Sequence, residues 1–417
     1  MAAVQTRAHD RAAFSERWPR LLAQIEEAAS GARLIVIPEG TVPGYVIGNE
    51  AVDPRLLEAA AQDVIGIAAR SGATIVYGGA RAVAGGIANS AYVVTADGVT
   101  GFADKCFLWH FDRRWFTAGD TLTPVDTPLG RLGVFICADG RIPTIASTLV
   151  DRGAEVLVVP TAWVSSGRDP LALENIQADL MIPVRARENG VPLVAANKVG
   201  VEARSVVYCG KSQIVAADGT VVALASQDQQ EIVRATIAIG PSPVHRDAAP
   251  AGVTRRRGTP LPEVARIAIA AAVDPALHDL AGVADADLTI DPHAAPERDD
   301  VAIVDDEAVL DPRALVGPRL DGVSLFVWHA SIDAGWIVRF ARTRAAELRA
   351  YVVVLDTSAK RAFAVDPDGA VVAGTFDGFE LAAFAYDRRR TLAWNVAPGT
   401  DVREGLQRTA GLAAAAR

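Results

Sequence analysis

The sequence predicts an α/β protein, and three observations carry that prediction. Short apolar, β-rich runs alternate with amphipathic stretches through the first half of the chain. Several of the amphipathic stretches close on a glycine, the residue that a helix C-terminus favours. At 417 residues the chain exceeds what one ordinary compact core needs, so two domains, or one with an appendage, are expected.

In chain order, MAAVQ reads as the beginning of a first strand, and residues 34–37, 74–77, 91–95, 132–137, 156–159 and 193–196 read as further strands, mostly buried on both faces. Helical periodicity fills 12–30, 55–71, 142–152 and 174–189, with Gly31, Gly72, Gly153 and Gly190 at the ends. A hairpin follows, with strands at 211–216 and 221–225 around an Asp218-Gly219 turn. Residues 241–262 hold Pro, Gly, Ala and an Arg255-Arg256-Arg257 run without apolar periodicity, which reads as a linker between a domain over 1–240 and one over 263–417.

The second domain repeats the rhythm of the first. DGVSLFVW at 321–328 echoes RGAEVLVV at 152–159, TRAAELRAYVVVL at 343–355 echoes VRARENGVPLVAA at 184–196, and AVDPDGAVVAG at 364–374 echoes VAADGTVVAL at 215–224. Three echoes in one order suggest a degenerate internal duplication; the alternative is the strand–helix–strand rhythm that any two α/β segments share. In this register Asp306 answers to Cys137, and the second half contains no cysteine.

A net charge of −9 and a pI near 5.3 provide no basic footprint for nucleic acid. No apolar run approaches the roughly 20 residues that a bilayer requires, and no basic-then-apolar leader opens the chain, so a cytoplasmic protein with no membrane partner is expected. Three cysteines, Cys106, Cys137 and Cys209, are too few for a disulfide framework and read as free thiols. Six histidines, among them His9, His110 and His245, lack ligand spacing, so neither metal nor cofactor is expected. The basic residues are almost all Arg; the lysines are Lys105, Lys198, Lys211 and Lys360, and each retained one therefore carries weight.

Glu39 directly follows the run LIVIP, at a strand end where α/β sheets present their ligands. Cys137 closes RLGVFIC ahead of Ala-Asp-Gly-Arg, so its thiol sits at a strand-to-turn transition beside the backbone N–H of Ala138. Lys105 lies between Asp104 and the aromatic segment FLWHF, which leaves it either snorkelling outward or held in a pocket. Cys106 and Cys209 read as inert core thiols.

Taken together, LIVIPEG, DKCFLWHFDRRWFTAGD and GVFICADGRIP, followed by RGAEVLVVPTAW, ARENGVPLVAANKVG and GKSQIVAADGTVVA, resemble the nitrilase, or carbon–nitrogen hydrolase, superfamily over residues 2 to about 240. The resemblance implies an αββα four-layer sandwich, followed here by a smaller degenerate α/β half of the same type. It implies Cys137 as nucleophile, Glu39 as general base, and Lys105 with the Ala138 N–H as stabilisers of the oxyanion. Asp112, seven residues after Lys105, occupies the place of a second glutamate in many members; a surface ion pair with Arg113 or Arg114 is its structural alternative. Thr144 and Ser147 stand where many members have Glu and Arg, so a framework ion pair is missing beneath the nucleophile turn.

Ala138-Asp139 differs from the Trp-Glu that usually follows the nucleophile of true nitrilases, and with LWHFDRRWFTAGD it leans toward the amidase and carbamoylase branches. The expected reaction is cleavage of a small amide or N-carbamoyl compound, with nitrile hydrolysis, acyl transfer and a non-catalytic assembly role as rivals. A synthetase-coupled glutaminase is disfavoured because no Gly-rich phosphate cradle is present. Tyr45, Trp109, Arg141, Trp163 and Arg168 are candidate substrate contacts. Family members usually pair, so a homo-oligomer or an internal pseudo-dimer is implied.

Overall fold

The fold was obtained as a computed structural model, which describes residues 1–165, 174–246, 251–270, 285–290, 296–356, 359–375 and 381–414. The chain divides into two compact units. One comprises Met1–His245, Ala397–Thr400 and Arg408–Arg417, and the other Arg246–Val396 and Asp401–Gln407.

The first unit opens with β1 (Ala2–Arg7), α1 (Phe14–Ala29), β2 (Leu34–Val36) and α2 (Pro54–Ser71). The antiparallel strands β3 (Thr74–Val83), β4 (Gly86–Thr95) and β5 (Gly98–Asp104) come next, then β6 (Val125–Thr127) and β7 (Gly130–Val134). Helix α3 (Pro143–Asp151), β8 (Val156–Pro160), α4 (Ile182–Asn189) and β9 (Leu193–Ala196) continue the alternation. Last are β10 (Lys198–Glu202), β11 (Val206–Cys209), β12 (Gln213–Val215), β13 (Val221–Leu224) and β14 (Glu231–Arg234).

These strands build two sheets. One has the order β11-β10-β1-β2-β3-β4-β5 with β14 also paired to β1, and the other β13-β12-β9-β8-β7-β6. The alternation of side chains along each strand explains the layering. Ile35, Ile37, Ile75 and Tyr77 turn to one face and form a core with Phe14, Trp18, Leu21 and Ile25 of α1 and Val64, Ile67 and Ala68 of α2. The intervening residues Val36 and Val76 are fully buried as well, and β2 and β3 meet β8 of the other sheet. Helices α3 and α4 lie against β7, β9 and β12, completing helix, sheet, sheet, helix.

Local sequence explains most boundaries. Asp53 caps α2 by accepting from the Arg55 N–H, Pro54 opens it, and Gly72 closes it at φ +70°. The expectation for Gly31 fails, because α1 ends on Ser30 in a right-handed conformation. The expected helix at 174–189 starts as a π-turn, Gln177–Met181, before becoming α4. The expected strand at 132–137 stops at Val134, and Cys137 begins a 3₁₀ turn, Cys137–Arg141. The expected linker contains a strand, β15 (Val253–Arg255).

The second unit adds β16 (Val264–Ala270), β17 (Leu288–Ile290), β18 (Val301–Val304), β19 (Leu325–Ala330) and β20 (Tyr351–Asp356). It ends with β21 (Arg361–Val365), β22 (Val371–Gly374) and β23 (Leu381–Asp387). A six-stranded sheet, β15-β18-β19-β20-β21-β22, faces the three-stranded β17-β16-β23 across a core of Ile267, Ile269, Val327, Tyr351, Val353 and Phe384. Its pairing directions reproduce those of β6-β7-β8-β9-β12-β13: antiparallel, parallel, parallel, antiparallel, antiparallel. Even the register shift recurs, between Ile214 and Val215 in one sheet and between Ala364 and Val365 in the other. No helix among the described residues is long and apolar enough to cross a membrane.

Candidate active site

Four strand ends of the first unit deliver the site. Glu39 lies just beyond β2, Lys105 just beyond β5, Cys137 beyond β7 and Thr161 beyond β8. The Glu39 N–H donates to the Thr161 carbonyl at 3.3 Å, tying one sheet to the other just past their strand ends. Gly78 allows this turn to sit against β3, since a Cβ there would stand 2.4 Å from the Glu39 Cα.

Lys105 is fully buried, which settles the choice between snorkelling and a pocket. Its Nζ donates to Glu39 Oε1 at 2.7 Å and to Asp112 Oδ2 at 2.6 Å, and both carboxylates are equally buried. Asp112 lies in the turn His110–Arg114 and points inward, so the alternative surface pair with Arg113 or Arg114 does not form. It also accepts from the Trp109 N–H at 3.0 Å and the Tyr45 hydroxyl at 2.8 Å. Glu39 Oε1 takes a second bond, from Asn89 Nδ2 at 2.6 Å. Its other oxygen, Oε2, accepts no hydrogen bond of normal geometry among the described residues.

Cys137 begins its turn at φ +48°, a left-handed conformation that costs a non-glycine residue roughly 1–2 kcal/mol. That conformation turns the chain sharply after β7 and leaves the buried thiol beside Glu39, Thr161 and Ala162. Burial, reinforced by the Glu39 charge, pushes the thiol up to about 12. Lys105, the Thr161 hydroxyl and the Ala162 amide pull the other way. Burial and the neighbouring Asp112 raise Glu39, while Lys105 opposes them. Burial disfavours the Lys105 charge, but Asp112 and Glu39 outweigh it and hold the ammonium protonated. At neutral pH the thiol is therefore protonated, and it faces a glutamate whose Oε1 is paired with the Lys105 ammonium.

The remaining predicted residues fall as follows. Ala138 is buried directly after the nucleophile candidate. Arg141 stacks over the half-buried Trp109 ring at 5.2 Å. Trp163 is buried and its Nε1 has no hydrogen-bond partner among the described residues. Tyr45 is buried as the donor to Asp112, with its backbone N–H on Glu202 Oε1 at 2.7 Å. Arg168 lies outside the described residues. Where an ion pair was missing, Thr144 and Thr409 hydroxyls meet at 2.6 Å and Ser147 donates to the Thr144 carbonyl. Cys106 and Cys209 are buried, and burial pushes both thiols up.

Asn89, Thr161, Ala162 and Asp139 were missed by sequence reasoning. Asn89 comes from β4, Asp139 from the nucleophile turn, and Thr161 and Ala162 from the end of β8, and none carries a local signal beyond its residue type. Lys198 and Lys211 are buried too, paired with Glu202 at 3.2 Å and Asp179 at 2.6 Å, which leaves Lys360 as the one exposed lysine. Lysine scarcity was a usable signal for both.

Comparison with known proteins follows the same residues. The carbon-nitrogen hydrolase family profile matches residues 1–240. A Pseudomonas protegens protein named as a hydrolase in the pqqF 5′ region is 36% identical over 220 residues, spanning 51% of this chain and 74% of its own. A nitrilase of Pyrococcus abyssi is 32% identical over 216 residues, 50% of this chain and 77% of its own. An (R)-stereoselective amidase of a Pseudomonas species is 30% identical over 212 residues, 50% and 75% respectively. With the matched segment covering the unit in which carboxylates, ammonium and thiol converge, the chain belongs to the carbon-nitrogen hydrolase family.

Proposed function

We propose that this chain hydrolyses the carbon–nitrogen bond of a small amide or N-carbamoyl compound through a thioester on Cys137. The observation that supports it most is Lys105 bridging Glu39 and Asp112 at 2.7 and 2.6 Å beside a thiol held at φ +48°. The Cys137 sulfur attacks the carbonyl carbon as its proton passes to Glu39, a necessary coupling because the resting thiol is protonated. The Lys105 ammonium and the Ala138 N–H stabilise the oxyanion. Collapse breaks the C–N bond, and Glu39 returns the proton to the leaving nitrogen, which departs as ammonia or an amine. Glu39 then takes a proton from water, whose oxygen adds to the thioester carbon. The C–S bond breaks, the acid is released, and the proton on Glu39 restores the thiol.

Trp109, Arg141 and Trp163 are the proposed substrate contacts. Nitrile hydrolysis, the activity named for the Pyrococcus abyssi relative, is the second reading and uses the same groups. The test is ammonia release from matched amides, N-carbamoyl amines and nitriles, with Cys137→Ala as control. Turnover of amides or N-carbamoyl compounds but not of nitriles is expected; activity surviving in Cys137→Ala sinks the thioester.

We propose further that residues 263–417 are a degenerate copy that has lost the chemistry. The matching sheet topology supports this, and so does a recurrent buried pair. Arg185 donates from Nε to the Gly140 carbonyl and from Nη1 to Glu188 at 2.6 Å; Arg344 donates from Nε to the Val309 carbonyl and from Nη1 to Glu347 at 2.6 Å. Asp306 precedes Val309 by the same three residues that separate Cys137 from Gly140. Its carboxylate accepts from Trp328 Nε1 and from the Ser331 N–H, and Ser331 answers to Ala162 in the echo of 152–159 by 321–328. A carboxylate tied down there forms no thioester. Only ten residues separate β17 from β18, too few for counterparts of β3, β4 and β5 and the lysine that follows them.

A further inference from the structure

Asp139 is buried within the nucleophile turn, and its two oxygens serve two different segments. Oδ2 accepts from the N–H of Ile136, the residue before Cys137, at 2.9 Å. Oδ1 accepts from the N–H groups of Cys106 and Phe107, the two residues after Lys105, at 3.1 and 2.6 Å. All three donors are backbone groups, so the strap grips the chain on both sides of the site while leaving the Cys137 and Lys105 side chains to the substrate. The Asp139 N–H also donates to the Ile136 carbonyl at 3.0 Å, so Cys137 is bracketed by two bonds between its neighbours. A left-handed non-glycine residue persists only where the surroundings over-determine it, and this bracket does so.

We propose that Asp139 is a positioning residue that sets the separation between the Cys137 sulfur and the Lys105 ammonium by holding their two backbone segments together. The inference rests on the hydrolase reading, in which both groups act on one carbonyl. A carboxylate suits the task because both of its oxygens accept. An asparagine offers one acceptor oxygen, and its amide nitrogen would confront an N–H donor. A glutamate keeps both acceptors but sets them one methylene further from the turn.

Asp139→Asn and Asp139→Glu in the full chain, each checked by thermal melting, provide the test. With the amide that the wild type turns over fastest, kcat should fall about 30- to 100-fold in Asp139→Asn while KM stays within about threefold, because a misplacement near 1 Å costs on that order. Asp139→Glu should recover part of the loss. Iodoacetamide labelling, read by peptide mapping, should slow at least about threefold at Cys137, where the lysine's pull on the thiol is weakened. Labelling at Cys209 should stay constant.

A kcat within about twofold of wild type, a loss confined to KM, or faster labelling at both cysteines would overturn the proposal, the last by revealing general loosening. Should Asp139→Asn fail to fold, Asp139→Glu carries the same readouts, and the same outcomes overturn the proposal. Should the wild type hydrolyse none of the compounds, the hydrolase reading falls, and the labelling alone decides the strap: unchanged Cys137 reactivity in the variant overturns it.

Discussion

Lys105 and Asp112 form an ion pair with neither partner exposed, Nζ to Oδ2 at 2.6 Å. Asp112 reaches the ammonium because its turn begins immediately after Trp109, whose N–H it accepts, and because the Tyr45 hydroxyl steadies its other oxygen. Backbone placement thus brings this short acid within hydrogen-bond distance of the ammonium.

Asp112→Asn should therefore cost both stability and rate. Removing one partner of a buried pair typically destabilises by about 3–5 kcal/mol, and the surviving Glu39 contact should hold the loss near the lower figure. With the ammonium less firmly held, kcat/KM should drop at least about tenfold. Urea unfolding and ammonia release measure the two effects, and wild-type values in both would remove Asp112 from the site.

Glu39→Gln should separate reactivity from turnover. The Glu39 charge raises the Cys137 thiol, so the amide variant should have a more acidic thiol. That lower thiol should partly offset the lost base in iodoacetamide labelling of Cys137, which should therefore fall much less than turnover. Hydrolysis should nevertheless fall by about 10² to 10⁴, the usual contribution of a general acid–base group. Hydrolysis within about tenfold of wild type would contradict Glu39 as the base.

Asp139 predicts a slope in stability against pH. Burial, opposed by its backbone bonds, lifts it from 3.8 to about 7, with Lys105 pulling down and Glu39 pushing up. A carboxyl raised on folding favours the native state below its unfolded value and loses that contribution as pH climbs through the folded value. Relative to Asp139→Asn, the wild type should thus lose stability from about pH 4 to about pH 7. Urea midpoints of the two proteins across that window check the sign, and parallel curves refute it.

Asp306→Asn should leave ammonia release within about twofold of wild type while lowering stability by about 1–3 kcal/mol, through weakened bonds from Trp328 and Ser331. A variant with wild-type stability but impaired catalysis would refute the reading of Asp306 as a retired nucleophile position.

The parts of the site that could be read from sequence were those whose chemistry announces itself within one short segment: an acid after LIVIP, a lysine in a lysine-poor chain, and a cysteine at the end of an apolar run. Asn89 was illegible because an amide inside β4 looks like any polar strand residue until β2 delivers Glu39 to it across 50 positions. Asp139 was visible as a residue type following the nucleophile, but its bonds to Cys106 and Phe107 depend on two loops meeting. Strands β10 and β11 escaped notice because Lys198 and Glu202 look like surface residues. Their charges are instead neutralised inside, with Tyr208 and the Gly40 carbonyl. The expected strand through Cys137 ended early because the left-handed turn that presents the sulfur also breaks the ladder.

Burial of three of the four lysines gives the molecule an unusual handle. Lys105, Lys198 and Lys211 are locked into ion pairs, so Lys360 stands out as the accessible lysine. Of the four lysines, an ester-activated dye or resin would couple through that one. The ammonium of the proposed oxyanion site would be spared without any protecting ligand.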